Sequence, residues 1–261
     1  MRATFIVVRA LVALAVLAAT TVSFLDSHSF WVEARFRDRT TLAVNFFSYI
    51  TVEACLLSVV VLSIGAVVLA RGTLPEPRWL AWLRAATVSY MVVIGVVYNL
   101  LLRGTAVTGG GAGQEWTNEV MHVVAPLALV LDWLLAPGRR RLSWSVVPWI
   151  LVFPVAWFVY TEIRAPLVYD QLKHEQVWYP YPFLDPRHAT LHVISGGALA
   201  VVVYVLVMTA VFASVAWATV LVSRRGAGRL DPPSNPAPVS TEEYLVRAKK
   251  HGRRSVRFPP A

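Results

Sequence analysis

The chain has 261 residues, 57% of them hydrophobic and 15% charged, with a mean hydropathy of +0.58 and a formal charge of +9. So apolar a composition excludes a soluble globule with a solvated surface and points to a membrane protein. The single cysteine, Cys55, excludes an intrachain disulfide and a cysteine metal cluster.

Crossing ~30 Å of hydrocarbon takes about 20 apolar residues. Runs of that length fall at 3–25, 41–70, 83–103, 116–136, 144–162 and 191–222. All six read as helix, because an open strand edge has no partners in lipid. The expected fold class is therefore all-α, a six-helix transmembrane bundle over 1–223. The first run, "MRATFIVVRALVALAVLAATTVSFL", also has the basic start of a secretory signal. Its apolar stretch exceeds the usual signal core and no clean cleavage box follows, so a retained helix is the preferred reading.

The second run contains "NFFSYITVEAC", four polar residues in two and a half turns. At about 100° per residue on a continuous helix, Asn45, Ser48, Thr51 and Cys55 fall within roughly 120°, and Glu53 lies nearly opposite Thr51. The third run ends near Asn99. In the fourth, "EWTNEVMHVVAP" places Glu115, Asn118, Glu119, His122 and Pro126 on one narrow stripe, expected to face protein. Tyr160 and Glu162 end the fifth run, and His188, His192 and Ser195 form a stripe at the start of the sixth. The bland alternative for such residues is a hydroxyl bonded to its own helix, or an Asn or His joining helices. Asp132, beside Trp133 at the opposite end, reads as structural.

Lys and Arg in the short loops set the expected orientation. "RGTLPEPR", Arg139–Arg141 and the tail fall on one side, which places both termini in the cytoplasm of a bacterial plasma membrane, although Arg35, Arg37 and Arg39 oppose this. Thr51 then lies roughly 15 Å and His122 roughly 10 Å below the outer surface, at 1.5 Å per residue. A polar pocket opening outward follows. The tail, 224–261, is rich in Pro, Gly and basic residues and reads as disordered and drawn to anionic lipid headgroups. Nucleic acid is not an expected partner, since no aromatic residues are interleaved with these basic ones.

Three blocks carry a family resemblance. "FFSYIT", "NEVMHVVAPLALVLDW" and "VWYPYPFLD" resemble, in order, motifs of the androgen-induced protein family and its bacterial six-transmembrane relatives. The resemblance implies a threonine hydrolase of esters between fatty acids and hydroxy fatty acids, with Thr51 and His122 as the catalytic pair. Asn45 and Asn118 would then donate to the oxyanion or orient the imidazole, Glu119 would hold the histidine tautomer, and Ser48 would support the same face. Membrane lipids are the expected partners and no cofactor or metal is required. The chain departs from the family pattern at Glu53, Cys55 and Glu119.

Three other functions compete. One is a non-catalytic lipid-binding or scaffolding bundle, and another a haem carrier using His122 and His192. The third is an intramembrane protease suggested by "ISGGA", which lacks the usual preceding glycine. A metal at His188 and His192 has the i, i+4 spacing but no evident third ligand. The "YPYP" segment is either an interfacial aromatic loop or a lid on the pocket.

Overall fold

The computed structural model describes residues 2–103, 115–187 and 197–226. The chain divides into two units, Met1–Gly226 and Ala227–Ala261. The tail beyond Gly226 and the histidines His188 and His192 lie outside the described residues. Among the described residues six helices are long and apolar enough to cross a membrane, which is the architecture of a multi-pass membrane protein. Among the described residues there is no strand, only one isolated bridge between Asp170 and Glu175.

Helix α1, Arg2–Glu33, runs longer than its apolar core and packs along α3. Its extension carries Trp31 into a small cluster with Leu42, Phe46 and Val52. The second run is not one helix but two. Helix α2, Arg39–Phe47, begins at Asp38, whose carboxylate accepts from the Thr41 amide. Helix α3, Ile50–Ala70, starts afresh after Tyr49, whose backbone is extended at φ −71° and ψ 126°. The break corrects the continuous-helix facing expected for this run.

Its cause is visible in the packing. The Ser48 carbonyl accepts from Trp157 Nε1 at 3.0 Å, and the Tyr49 ring is held edge-on by Trp178 and Tyr181, each at 5.8 Å. Backbone that leaves the helix inside a membrane protein needs such partners.

Helix α4, Arg78–Val97, is the central element, packed against α3, α6, α7 and α8. It continues as one π-helical turn, Tyr98–Leu102. The fourth span is α5, Glu115–Glu119, a second π turn, Val120–Val124, and α6, Ala125–Leu135. Helices α7, Val146–Arg164, and α8, Ala198–Gly226, pack on each other. We call the end bearing residues 165–187 distal and the end bearing residues 71–77 and 136–145 proximal.

The proximal half contains an ion cluster that composition and spacing left unread. Arg9 of α1 donates to Asp132 from Nε at 2.7 Å and Nη2 at 3.1 Å, and to the Gly65 carbonyl at 2.8 Å. Arg84 of α4 donates to Asp132 at 2.6 Å and pairs with Glu76. All four side chains are at most 4% exposed. Two cations face two anions, the condition under which buried charge is tolerated. The reading of Asp132 as structural gains its partners here, and Arg9 ties α1 into the bundle.

Candidate functional site

Each π turn carries one residue of an interlocked pair. Tyr98 stacks on the His122 ring, with centroids 3.7 Å apart and planes 15° from parallel. A π turn leaves a carbonyl without its usual i+4 donor. Asn99 Nδ2 meets this need on both helices, donating to Gly95 O at 2.8 Å and His122 O at 3.2 Å. The helices come close because residue 95 is glycine. A Cβ there would stand 3.0 Å from His122 O and 3.1 Å from Pro126 Cγ.

The imidazole is thereby fixed. His122 Nδ1 lies 3.0 Å from the Asn118 carbonyl oxygen. A carbonyl only accepts, so Nδ1 carries a proton, and in the neutral ring Nε2 is the base. His122 borders two spaces. One is a partly open cavity of about 110 Å³, mostly apolar, whose lining includes Thr51, Asn118, His122 and Tyr181. The other is a groove of about 420 Å³ in the side of the bundle, lined by α4 residues and by Val123, Pro126 and Val130.

Thr51 is the second residue of α3, one step from the break. Its hydroxyl is 3.4 Å from the Tyr181 hydroxyl. The first amide bonded back along this turn is that of Glu53, to the Tyr49 carbonyl. The amides of Ile50, Thr51 and Val52 precede any helical acceptor, and such donors suit developing negative charge. No direct hydrogen bond joins Thr51 to His122 among the described residues. Both residues line the one cavity.

The other expected residues divide. Asn118 lines the cavity and supplies the carbonyl that orients the imidazole. Glu119 turns away to Arg103, at 2.8 Å and half exposed, so the tautomer is held by main chain instead. Asn45 accepts from Arg164 Nη2 at 2.6 Å, outside the cavity lining. Ser48 bonds its own Val44 carbonyl at 2.7 Å and contacts the Tyr160 hydroxyl at 2.9 Å, as a membrane serine commonly does. Glu53 is not among the lining residues, in keeping with its expected direction.

Sequence reasoning missed Tyr181 and Tyr98 as members of the site. Tyr181 comes from the "YPYP" segment, which forms part of the cavity wall through Tyr181 and Phe183, two rings stacked at 5.4 Å. The Asn99 position was noted, but its double carbonyl contact depends on two π turns that no spacing rule reveals. Comparison with protein-family models, curated proteins and solved structures returns no match.

Proposed function

We propose that the protein is an integral membrane hydrolase that cleaves lipid esters with Thr51 as nucleophile and His122 as base. The observation that carries this reading is the shared, mostly apolar cavity, lined by Thr51 and by His122, whose Nε2 has no hydrogen-bond partner among the described residues. The side groove between α4 and α6 supports a lipid substrate. It reaches the same histidine from the flank of the bundle, where exposed Leu100 and Leu127 would meet acyl chains.

In this mechanism Thr51 Oγ attacks the ester carbonyl and its proton passes to His122 Nε2. The first-turn amides of α3 and the Tyr181 hydroxyl donate to the oxyanion. The intermediate collapses as the C–O bond breaks, and the leaving alcohol takes the proton from His122. Water, deprotonated by the same imidazole, then frees the acid from Thr51. Both members of the pair would lie in the outer half of a plasma membrane with cytoplasmic termini, and the likeness to the androgen-induced family agrees with an ester substrate.

A fluorophosphonate probe tests the reading. The parent protein should label, and Thr51→Ala and His122→Ala should lose at least nine-tenths of the signal, an order of magnitude modest for loss of a nucleophile or base. Equal labelling of folded variants rules the hydrolase out. The second reading, a lipid-binding protein without catalysis, is favoured by one observation: the Thr51 hydroxyl contacts Tyr181 and not His122. That protein would bind lipid and leave the probe unreacted.

A further inference from the structure

Four buried side-chain polar atoms lack a partner among the described residues, and three of them fall in one turn of α7: Thr161 Oγ1, Glu162 Oε1 and Arg164 Nη1. Buried polar groups are almost always paired, so such a concentration points to a missing partner. Arg164 is the informative member. Its Nη2 donates to Asn45 Oδ1, and its guanidinium lies 5.0 Å from the centroid of the Trp178 ring. Among the described residues no carboxylate pairs with it, whereas Arg9 and Arg84 both meet Asp132. A partly buried cation without a counter-charge is costly unless an anion arrives from elsewhere.

Position links this turn to the cavity. Trp157, Thr161 and Arg164 are spaced i, i+4 and i+7, which puts them on one face of α7. Trp157 lines the cavity, so the two unpaired donors lie one and two turns distal to its wall. Trp178, under the guanidinium, meets Tyr49 edge-on, and Tyr49 lines the same cavity. Glu162 is about 100° round the helix from Thr161 and about 160° from Arg164.

We infer that Arg164 and Thr161 form an oxyanion subsite at the distal rim of the cavity, which takes the carboxylate or phosphate end of the lipid held there. Two donors, one of them cationic, match an anion's acceptors, and the aromatic faces of Trp178 and Tyr160 flank the guanidinium. The subsite makes the substrate an anionic, single-ended lipid rather than a neutral ester. It rests on the reading that the cavity binds lipid, and not on hydrolysis itself.

The test uses the full chain carrying Thr51→Ala, in detergent micelles, with oleate, oleyl phosphate and methyl oleate as probes of binding through tryptophan fluorescence. At least one of the two anions should bind about tenfold or more tightly than the methyl ester, the effect of one charge-assisted hydrogen bond. The tighter of the two identifies carboxylate or phosphate as the group. Arg164→Gln should bring both anions to the level of the ester, while Arg164→Lys keeps part of the preference and Thr161→Val weakens it. No preference in the Thr51→Ala protein, or one that Arg164→Gln or Thr161→Val leaves unchanged, overturns the subsite. Should Arg164→Gln not fold, the Thr51→Ala comparison and Thr161→Val decide the question. A failed fluorophosphonate experiment with a surviving anion preference would remove the hydrolase and leave the subsite.

Discussion

Replacing Asp132 with leucine removes the anion that joins three transmembrane helices. Its carboxylate accepts Nε and Nη2 of Arg9 and Nη2 of Arg84, at 2.7, 3.1 and 2.6 Å. Without it Arg9 keeps only the Gly65 carbonyl, and a balanced cluster becomes net positive inside the bundle. Breaking a buried pair by removing one partner costs about 3–5 kcal/mol, because a charge is left uncompensated. Arg9→Leu removes a cation but leaves Asp132 on Arg84, so it should cost less, about 1–3 kcal/mol. The double variant Arg9→Leu/Asp132→Leu is the decisive one. It leaves Arg84 paired with Glu76 and no orphan charge, so it should be more stable than Asp132→Leu alone. Unfolding in mixed micelles of dodecyl maltoside and SDS, followed by the fluorescence of the ten tryptophans, measures all three. A double variant as unstable as the sum of its singles refutes the argument, since the residues would then act by packing and not by charge.

Gly95→Val places a side chain against His122 O and Pro126, and should destabilise by about 1–3 kcal/mol while lowering any probe labelling at Thr51. Trp157→Phe keeps a ring but strips the donor from the Ser48 carbonyl, an expected loss of about 1–3 kcal/mol in the same micelle assay. At the distal end, bonds from the Thr41 side chain and then its amide hold the Asp38 carboxyl below its usual range. A lowered native value stabilises at pH above the ordinary carboxylate range and is lost as pH falls through the native value. Asp38→Ala should therefore cost about 1 kcal/mol near neutrality, with the gap to the parent closing in acid.

The six spans were legible because a membrane imposes one strong rule on them, apolar runs of sufficient length, and the helices found overlap every expected run. Depth along the spans put Thr51 and His122 at a similar level, and both line one cavity with no hydrogen bond between them among the described residues. What could not be read was anything decided by side chains reaching across helices. The break at Tyr49 depends on Trp157 taking the Ser48 carbonyl, from more than 100 residues further along the chain. A facing argument built on 100° steps fails at such a break, which is why Asn45 and Ser48 leave the cavity while Thr51 stays. Arg9 went unread inside the first apolar run, because its partner Asp132 lies 123 residues away.

The two polar layers of the bundle differ in a way that bears on their use. In the proximal layer two arginines meet two carboxylates across α1, α4, α6 and the loop before α4, and among the described residues only Glu76 Oε1 of this cluster is left unpaired. Such a cluster can fix helix register and has little left with which to bind. The distal layer is incomplete in every respect that matters for a ligand. Among the described residues Arg164 pairs with no carboxylate, His122 Nε2 has no hydrogen-bond partner, and the first amides of α3 precede any helical acceptor. Thr51, His122 and Tyr181 line a cavity whose remaining walls are largely apolar, and Arg164 lies distal to its wall. Under the proposed function that setting would receive a lipid with an apolar body, a carbonyl and an anionic end, and the proximal ion cluster would hold the helices that present it.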